Sequence, residues 1–442
     1  MSFSEFPPPP ELDPGQDLPH LRVPPPGPAS RSWLVRYAHS AAPMGPKRMP
    51  GQRASTVVFA RGLGCNVIDV DGNRYVDLAA GFGALLLGHS PPAIRRVLEL
   101  QADRLWQALG DVHPADARVA LTERLARLHP SGDAQVVLGQ SGADAITAAL
   151  KTAALFTGKA GVLAFSGAYH GLSYGPLAAL GLRDSYRAPF SAQLNPSVRF
   201  VPYPHDEASL DASIERARFE LARGDVGAVI VEPILGRGGC VVPPPAFMEQ
   251  LATLARGASA LLIADEIWTG LGRSGAWLRS SRDGVIADVI CLGKGLGGGL
   301  PISACIGRRE VMAAWSRDDE VVHTSTFAGA PLACATALAT LDALSRDHLP
   351  ERAAAVGERF AHRLAEVGVK VRGAGLMLGI ELGGQPGAAV KLGKRLLAAG
   401  YLTSTGGGAR ETLVLTPPLV IAEALLDAFA SELALCAPGL LS

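Results

Sequence analysis

The stretch ADVICLGKGLGGGLP, residues 287–301, runs from a short apolar segment into a glycine-rich loop that carries a single lysine, Lys294. A continuous apolar run of this length, bounded by glycine, is typical of a strand buried on both faces of a sheet. Four runs upstream have the same form and are separated by helical patterns: AQVVLGQ (134–140), AGVLAFSG (160–167), VGAVIVEP (226–233) and ALLIADE (260–266). This alternation predicts an α/β fold with a mostly parallel sheet between about residues 91 and 330.

The polar residues of this region stand where the apolar runs stop. The five runs are followed by Gln140-Ser141-Gly142, by GAYHG (167–171), by Glu232-Pro233, by Asp265-Glu266 and by Gly293-Lys294-Gly295. Ligands of open α/β sheets bind at the carboxyl ends of the strands. The sequence therefore predicts one binding site built from five strand ends.

The N-terminal part of the chain predicts an arm followed by a hairpin. Residues 1–30 contain FPPPP and RVPPPGP, which favour polyproline II and cannot bury a core, so we expect an extended arm. The stretch GCNVIDVDGNRYVDLAAG, residues 64–81, alternates apolar and polar positions around Asp71-Gly72, which is a hairpin signal with residues 73–77 as the returning strand.

The C-terminal part, residues 331–442, contains a long Ala/Leu-rich helix, a strand-like VRGAGLMLGIEL, another helix and a final LVLTPPLVI. These are the elements of a smaller α/β unit. We therefore expect a large domain of residues 91–330, and a small domain formed by residues 31–90 together with 331–442.

The composition argues against several classes of binding partner. The 442 residues include 41 basic and 41 acidic side chains, a net charge of zero that argues against a nucleic acid partner or an anionic membrane surface. No apolar run approaches the roughly 18 to 20 residues of a membrane span, and the N-terminus does not look like a signal peptide, so we expect a cytoplasmic protein. The six cysteines are scattered without a C-x-x-C pair, which indicates buried free thiols and no metal site.

Lys294 follows its predicted strand directly, so we expect its amine to be desolvated. Desolvation lowers the pKa of an ammonium group and makes the neutral amine available to form a Schiff base with an aldehyde. A surface lysine that caps a strand would give the same local pattern. A Walker-type phosphate loop is excluded, because G-x-x-x-x-G-K-[ST] occurs nowhere in the chain.

Asp265 ends a run that is otherwise apolar, and a buried carboxylate needs a cationic or hydrogen-bonding partner. A protonated pyridine nitrogen would be such a partner, and the pairing would keep the ring an electron sink. An Asp that caps a helix is the alternative explanation. Arg273, in GLGRSG, is an alternative structural partner for Asp265 or Glu266.

The segment GQSGADAITAAL places a tight turn before a predicted helix, whose first backbone N–H groups attract anions. Gly142 and Ala143 would donate to a phosphate, and Ser141 would add its hydroxyl. An ordinary serine-capped helix has the same pattern. Tyr169 lies between small residues and could stack on a planar ring, although a core tyrosine would also fit.

Together these segments resemble the class III, or subgroup II, aminotransferases of pyridoxal-phosphate (PLP) fold type I. The resemblance runs from about Gly62 to the end of the chain. Its motifs are IDVDGNRYVDLAAGFGALLLGHSPP, SGADA, GAYHG, VEPILGRGG, DEIWTGLGRSG, GKGLGGGLP and HTSTFAGAPLACA. In the phosphate turn, Asp144 stands where glutamate is more usual in the family.

The resemblance implies a PLP enzyme in which Lys294 forms the Schiff base and shuttles a proton, and Asp265 pairs with the pyridine nitrogen. It implies a homodimer with shared active sites, because Thr326 corresponds to a threonine that reaches the cofactor phosphate of the neighbouring subunit. The implied cofactor-binding set is Ser141, Gly142, Ala143, Tyr169, His170, Glu232, Asp265, Ile267, Lys294 and Thr326, with Ile267 and Tyr169 on the two ring faces and Glu232 in a supporting role.

Two departures from the family concern the substrate. Many members carry a glutamate that gates a late arginine, and this arginine binds the α-carboxylate of the substrate. Here Arg237 replaces the glutamate and Val414 stands where the arginine would fall. Arg237 is either a carboxylate anchor or a surface arginine. Trp268, in DEIWTG, is the second predicted substrate-binding residue, and a tryptophan buried for packing alone is the alternative.

Two other functions fit the resemblance. Amino-acid racemases or epimerases of the same family share the Gly-x-Ser-Gly-x-Asp-Ala turn, GKGLGGGLP and a late L-T-P-P-L without arginine. Such enzymes carry a lysine after Asp-Glu-Val and an acid in the Glu-Pro loop, where this chain has Trp268 and Arg237, so transfer to a keto acid is favoured. A PLP-binding module without turnover is the alternative of another class, and the intact Lys294 and Asp265 argue against it.

Overall fold

The computed structural model describes residues 15–43, 56–282, 284–316 and 321–437. The strands are β1 (Phe59–Leu63), β2 (Asn66–Asp69), β3 (Arg74–Asp77), β4 (Ala134–Gly139), β5 (Gly161–Phe165), β6 (Val198–Val201), β7 (Val226–Val231), β8 (Leu261–Asp265), β9 (Val289–Leu292), β10 (Ser303–Arg308), β11 (Lys370–Ala374), β12 (Met377–Glu381), β13 (Tyr401–Leu402), β14 (Ser404–Gly406) and β15 (Thr412–Leu415).

The helices surround these strands. They are α1 (Pro28–Ser40), α2 (Ala80–Gly83), α3 (Pro92–Ala102), α4 (Asp116–Ala126), α5 (Gly142–Thr157), α6 (Tyr174–Ala178), α7 (Asp184–Arg187), α8 (Glu207–Leu221), α9 (Phe247–Gly257), α10 (Arg279–Arg282), α11 (Arg309–Met312), α12 (Pro331–Arg346), α13 (Leu349–Glu366), α14 (Ala388–Ala398) and α15 (Glu423–Cys436), with 3-10 turns at Ala188–Gln193, Lys294–Gly297 and Ala313–Trp315.

The central sheet has seven strands in the order β4-β10-β9-β8-β7-β5-β6. The pairs among β9, β8, β7, β5 and β6 are parallel, whereas β10 pairs antiparallel with both β9 and β4. The predicted α/β fold with a mostly parallel sheet is confirmed. All five predicted strands are present, as β4, β5, β7, β8 and β9, while β6 and β10 were not predicted.

Side chains of the central strands alternate between two buried faces. In β8, Ile263 packs on the face covered by Ala145 and Ala149 of α5. Leu262 packs on the other face, in the cluster that contains Leu251 of α9. Burial on both faces explains why these strands read as continuous apolar runs.

The polarity of the strands brings the predicted site residues to one edge. Because β10 is antiparallel to both β4 and β9, the strand β4 runs parallel to β9 and to the rest of the sheet. The carboxyl ends of β4, β5, β7, β8 and β9 therefore lie along the same edge. This is the edge at which the five polar segments follow their strands.

The predicted hairpin at Asp71-Gly72 is confirmed, with Ile68 opposite Arg74 in the antiparallel pair of β2 and β3. The Asp71 carboxylate also accepts hydrogen bonds from the backbone N–H groups of Ala29 and Ser30, 2.7 and 2.9 Å away, at the start of α1. The turn of the hairpin thus caps the first helix.

The N-terminal arm runs beside this hairpin. Its residues 1–14, which include FPPPP, lie outside the described residues. The backbone N–H and carbonyl of Asp17 bond the side-chain amide of Asn66 at 2.9 and 2.8 Å. The side-chain oxygen of Asn73 accepts from the N–H groups of Arg22 and Val23 at 2.8 and 3.0 Å. Two buried asparagines therefore hold the arm by its backbone.

The C-terminal segment forms a second small sheet in the order β11-β12-β15-β14. The strand-like segment of residues 371–382 is two strands rather than one, because the chain reverses at Gly375, whose φ is 56°. The strand β13 leaves this unit and pairs parallel with β3 of the N-terminal hairpin. No helix in the described ranges is long and apolar enough to cross a membrane.

Candidate active site

The end of β8 and the loop after β5 meet at a buried acid and a buried histidine. Asp265 is 4% exposed, and its Oδ2 lies 2.7 Å from Nδ1 of His170. Its Oδ1 accepts a hydrogen bond from the backbone N–H of Ile267 at 3.1 Å. Burial opposes protonation of His170, but the hydrogen bond and the charge of Asp265 outweigh it, so the pKa of His170 is raised.

His170 has a second ring nitrogen, Nε2, which is buried and finds no hydrogen-bond partner among the described residues. The pair therefore joins a carboxyl group and an imidazole by a hydrogen bond in a dry environment. The helix-cap explanation for Asp265 is wrong, because its partners are His170 and the N–H two residues on.

The end of β7 contributes a second buried acid, Glu232. Its two carboxylate oxygens accept hydrogen bonds from the backbone N–H groups of Tyr169 at 2.7 Å and Gly236 at 3.0 Å. Burial raises the pKa of Glu232 to about 7, against the charge of His170, which lowers it. Glu232 thus joins the loop after β5 to the loop after β7.

Lys294 follows β9 and begins a 3-10 turn with a φ of 41°. This left-handed conformation costs an L residue roughly 1–3 kcal/mol, and such strain concentrates at functional sites. Its Nζ lies 4.1 Å from the ring centroid of Trp268. Burial lowers the pKa of Lys294 to about 8, although the charges of Asp265 and Glu232 act in the opposite direction. The lysine is therefore a half-buried amine next to two acids and an indole, not a surface residue.

The helix α5 begins at the edge where β4 ends. Ser141 caps it, accepting from the N–H of Asp144, while the Asp144 carboxylate accepts from the N–H groups of Gln140 and Ser141 at 3.0 and 2.9 Å. The Ser141 side chain is thus part of a capping box. The N–H groups of Gly142 and Ala143, in the first turn, have no carbonyl to bond within the helix.

Gly142 also brings this turn close to the end of β8. A Cβ built on Gly142 would lie 2.9 Å from Cδ1 of Ile267, which is too close for a side chain. Ile267 in turn lies beside Gly293, where a Cβ would be 3.4 Å from Cγ2 of Ile267. The glycines therefore allow the helix start, Ile267 and the lysine loop to pack together.

Tyr169 and Arg237 stack on each other at the edge of the site. The guanidinium carbon of Arg237 lies 4.9 Å from the centroid of the half-buried Tyr169 ring. The Nε of Arg237 is buried without a hydrogen-bond partner among the described residues. Arg237 is half-buried and its charge contributes to lowering the pKa of Lys294, so it does not point away into solvent.

Two predicted residues lie elsewhere. Thr326 is exposed on the loop of residues 321–330, where its carbonyl accepts a hydrogen bond from the side-chain amide of Gln107 at 2.8 Å. Arg273 is not the partner of either acid. This buried arginine donates to the carbonyls of Leu376 and Pro417 and not to Asp265 or Glu266.

The carboxylate of Glu266, the residue after Asp265, finds its hydrogen-bond partners in the segment that follows it. Its carboxylate accepts from the N–H and hydroxyl of Ser280, at 2.7 and 2.8 Å, and from the hydroxyl of Thr269. It therefore needs neither Arg273 nor a ligand. The two adjacent acids differ in role because consecutive residues of a strand point to opposite faces.

The sequence did not predict the two bridging hydrogen bonds of Glu232 or the contact between Trp268 and Lys294. The position of Glu232 at a strand end was the available signal for the first. No local signal exists for the second, since it depends on how the loops after β8 and β9 fold against each other.

Comparisons with known proteins agree with this geometry. The Aminotransferase class-III family matches residues 49–436. The acetylornithine aminotransferase of Mycolicibacterium smegmatis is 37% identical over 376 residues, which cover 84% of this chain and 91% of that protein.

Solved structures give the same result. An amine transaminase from an uncultivated Pseudomonas species, in its PLP-bound internal aldimine form, superposes with a TM-score of 0.82 at 28% identity, covering 90% of this chain and 96% of that one. The ornithine aminotransferase of Toxoplasma gondii also gives a TM-score of 0.82 at 28% identity, covering 93% and 94%. The fold is that of the type I PLP transaminases, and the chain belongs to the class-III aminotransferase family.

Proposed function

We propose that the site around Lys294 and Asp265 carries out the reaction of this family, the transfer of an amino group between an amino acid or amine and a keto acid. One observation carries the proposal. A half-buried lysine with a lowered pKa stands beside a buried carboxylate–histidine pair at the carboxyl edge of the sheet. Lysine alone would serve several chemistries, but the combination suits a pyridine-type cofactor.

The residues present fit pyridoxal 5'-phosphate. Asp265 would hold the ring nitrogen in its protonated form, with His170 behind it. The start of α5, with Ser141, Gly142 and Ala143, would hold the phosphate, because its free N–H groups suit an anion. The flat faces of the ring would meet Tyr169 and Ile267, the latter lying beside Gly142 and Gly293. Glu232 would support the site through the backbone bonds that it makes to Tyr169 and Gly236.

When bound, the cofactor supplies an aldehyde that condenses with amines and a ring that spreads the charge of a deprotonated carbon. The protein supplies the proton transfers. Lys294 Nζ is neutral in a large fraction near pH 8, so it can take a proton from the substrate carbon and return it elsewhere. Asp265, backed by His170, keeps a cation on the ring nitrogen favourable throughout.

The test of this assignment is Lys294→Ala. Borohydride reduction of the wild-type holoenzyme should attach the cofactor to the tryptic peptide that contains Lys294, and the variant should give no labelled peptide while its thermal unfolding stays cooperative. A label on another lysine, such as Lys151, would overturn the assignment.

Arg237 is the proposed anchor for a substrate carboxylate. Its guanidinium is half-buried over Tyr169, its Nε has no partner among the described residues, and a planar fork suits bidentate carboxylate binding. Losing such a contact costs about 2–5 kcal/mol. Arg237→Ala should therefore raise KM for carboxylate substrates roughly tenfold or more, with little effect on simple amines.

The matched control is Arg199→Ala, which removes an arginine paired with Asp225. It should leave both KM values unchanged. Equal losses on carboxylates and on simple amines in Arg237→Ala would show that Arg237 is structural.

A homodimer completes the proposal. Several large apolar side chains are exposed on two neighbouring loops, which the Gln107–Thr326 hydrogen bond joins. We call them the apolar rim: Leu105, Trp106, Leu109, Val112, Val321 and Phe327. A second copy would bury this surface, as large exposed apolar patches commonly mark interfaces. The exposed position of Thr326 on the rim supports the prediction that it reaches the cofactor phosphate of the neighbouring subunit.

Transfer is favoured over racemisation because the relatives named above are aminotransferases. The deciding experiment is a panel of L-amino acids and amines, including acetylornithine and ornithine, with and without pyruvate or 2-oxoglutarate. Keto-acid formation that depends on the acceptor supports transfer. Loss of optical activity without an acceptor would indicate a racemase, and no reaction on any substrate would indicate a binding module.

A cytoplasmic location is proposed on the cysteine pattern, because all six cysteines are free thiols.

A further inference from the structure

We infer that Trp268 determines substrate size: its indole forms an apolar wall beside Lys294 that admits a small apolar substituent on the reacting carbon and excludes a large one. This inference rests on the proposed function and deepens it. The substrate class is an amine or amino acid with a short aliphatic substituent facing this wall.

The indole lies directly at the reactive nitrogen. Trp268 is 6% exposed, and the centroid of its ring is 4.1 Å from Nζ of Lys294. A substrate carbon that gives a proton to Lys294 must come within reach of Nζ, and therefore close to the indole. A substituent of that carbon on the Trp268 side therefore meets the indole.

Two glycines make room for the ring and fix its position. A Cβ built on Gly83 would lie 2.3 Å from Nε1 of Trp268, and one built on Gly236 would lie 2.3 Å from its Cε3. Gly83 follows the N-terminal hairpin and Gly236 follows β7, so two distant segments hold the indole between them. The ring cannot move aside for a large ligand unless one of these backbones moves.

The surroundings of the ring are apolar. Trp268 packs in one cluster with Ile234, Cys240, Met377 and Val414, the last four of which are completely buried. The side chains of these four neighbours offer no strong hydrogen-bond donor to a carboxylate, whereas an apolar substituent packs against them and the indole without loss of hydrogen bonds. Arg237 is the residue after Gly236, and its charge acts on Lys294. The wall and the cation together direct an apolar substituent to Trp268 and a carboxylate to Arg237.

The experiment compares ligands that differ only in size. Kd values of propanoate, pentanoate and 3-phenylpropanoate, which lack the amino group, are measured by calorimetry on the holoenzyme. Kcat/KM is measured for the matching 2-amino acids. In the wild type both should favour the smallest member. Trp268→Ala should shift the ratio toward the phenyl compound by roughly tenfold or more, since one misfitting methylene is worth about 10–200-fold.

Trp268→Phe provides an intermediate that should keep the fold, because the buried indole N–H has no acceptor among the described residues and its removal breaks no hydrogen bond there. It should give a smaller shift in the same direction. Trp33→Phe, on helix α1, is the matched control and should leave the ratio unchanged. A ratio that stays at the wild-type value in Trp268→Phe and in Trp268→Ala, with unfolding still cooperative, would overturn the inference.

The two readouts separate this inference from the proposed function. If the enzyme transfers no amino group, calorimetry still reports the size preference of the pocket. If Arg237 does not hold the carboxylate, the wild type binds none of the acids, and the size preference is then read from Kd values of the matching unbranched and phenyl-substituted alcohols. An unchanged preference in both series would overturn the role of Trp268 alone.

Discussion

Burial acts in opposite directions on the acid and the base of this site. It raises the pKa of Glu232 to about 7 and lowers the pKa of Lys294 to about 8. Both charged forms are disfavoured by the loss of solvent. The charge of His170 opposes this effect on Glu232, and the charges of Asp265 and Glu232 oppose it on Lys294. Near neutral pH the two groups are therefore close to titration, which is the condition for moving protons at low cost.

The pH dependence of cofactor capture follows from the lowered pKa of Lys294. Only the neutral amine attacks an aldehyde, so the capture rate by apoenzyme should rise with pH and level off above about pH 8 rather than near 10.5. The growth of the visible band of the lysine-bound cofactor in stopped-flow absorbance measures this rate.

Arg237→Met is the matched variant for this measurement. Removing a nearby positive charge should move the midpoint to higher pH, because Arg237 contributes to lowering the pKa of Lys294. A wild-type midpoint near 10.5 would contradict the desolvation of the lysine.

Asp265→Asn should retain the cofactor and lose most activity. The amide keeps the size of the side chain but leaves His170 without its charged partner. Breaking a buried charged pair costs about 3–5 kcal/mol, so kcat/KM should fall roughly 100-fold or more. Glu266→Gln is the control, since Glu266 bonds Ser280 and Thr269 outside the cluster, and it should lose stability more than activity. Near-wild-type turnover in Asp265→Asn would refute the pairing.

At the scale of elements, the first turn of α5 combines a capping box with the proposed anion site. The capping box uses the N–H groups of Gln140, Ser141 and Asp144, which leaves those of Gly142 and Ala143 for a ligand. Asp144 therefore shapes the turn without facing the phosphate. The side chain of Asp144 is one methylene shorter than the glutamate that is usual in the family, and it reaches the N–H groups of both Gln140 and Ser141.

Asp144→Ala should destabilise the protein by about 1 kcal/mol, the usual cost of a lost cap. It should also weaken binding of PLP, because the turn is no longer held in the conformation that presents its N–H groups. Urea unfolding of the apoenzyme and a fluorescence titration with PLP measure the two effects. Thr147→Ala, a change in the second turn of the same helix, serves as the comparison. Unchanged affinity together with lost stability would show that the cap has no part in binding.

At the scale of the whole molecule, the N-terminal and C-terminal segments of the chain contact each other. The strand β13 from the C-terminal segment pairs with β3 of the N-terminal hairpin, and Asn66 and Asn73 hold the arm beside them. These contacts support the proposal that residues 31–90 and 331–442 form one small domain. The close approach of Gly83 to the indole of Trp268 joins this part of the molecule to the loop after β8.

The apolar rim leads to a prediction about the oligomeric state. Leu109→Asp, at a position that is 67% exposed, should shift the protein from dimer to monomer, because an interface would have to bury the new charge. PLP affinity should fall roughly tenfold, the value of one lost charge-assisted hydrogen bond to the phosphate. Sedimentation velocity and a PLP titration test both effects.

Leu435→Asp is the control for this experiment. Leu435 is 74% exposed near the end of α15 and lies outside the rim. It should leave the protein dimeric. A wild type that is monomeric at all concentrations would contradict the shared site.

The sequence by itself determined the central strands and the residues that follow them. A strand buried on both faces needs a continuous apolar run, and a ligand site at the carboxyl edge needs polar residues where that run stops, so both signals are local. For this reason β8 with Asp265 and β9 with Lys294 could be predicted. The antiparallel β10 could not, since nothing in its own residues records the direction of its neighbours.

Only the tertiary structure decided which of these residues touch. His170 and Asp265 are 95 positions apart, and their bond exists because β5 and β8 end at the same edge. Arg273 was the alternative partner for the two acids, yet it lies against carbonyls of the C-terminal segment. The contact of Trp268 with Gly83 and Lys294 arises in the same way. Such contacts depend on the packing of distant segments, and packing is a property of the folded chain rather than of any short stretch of it.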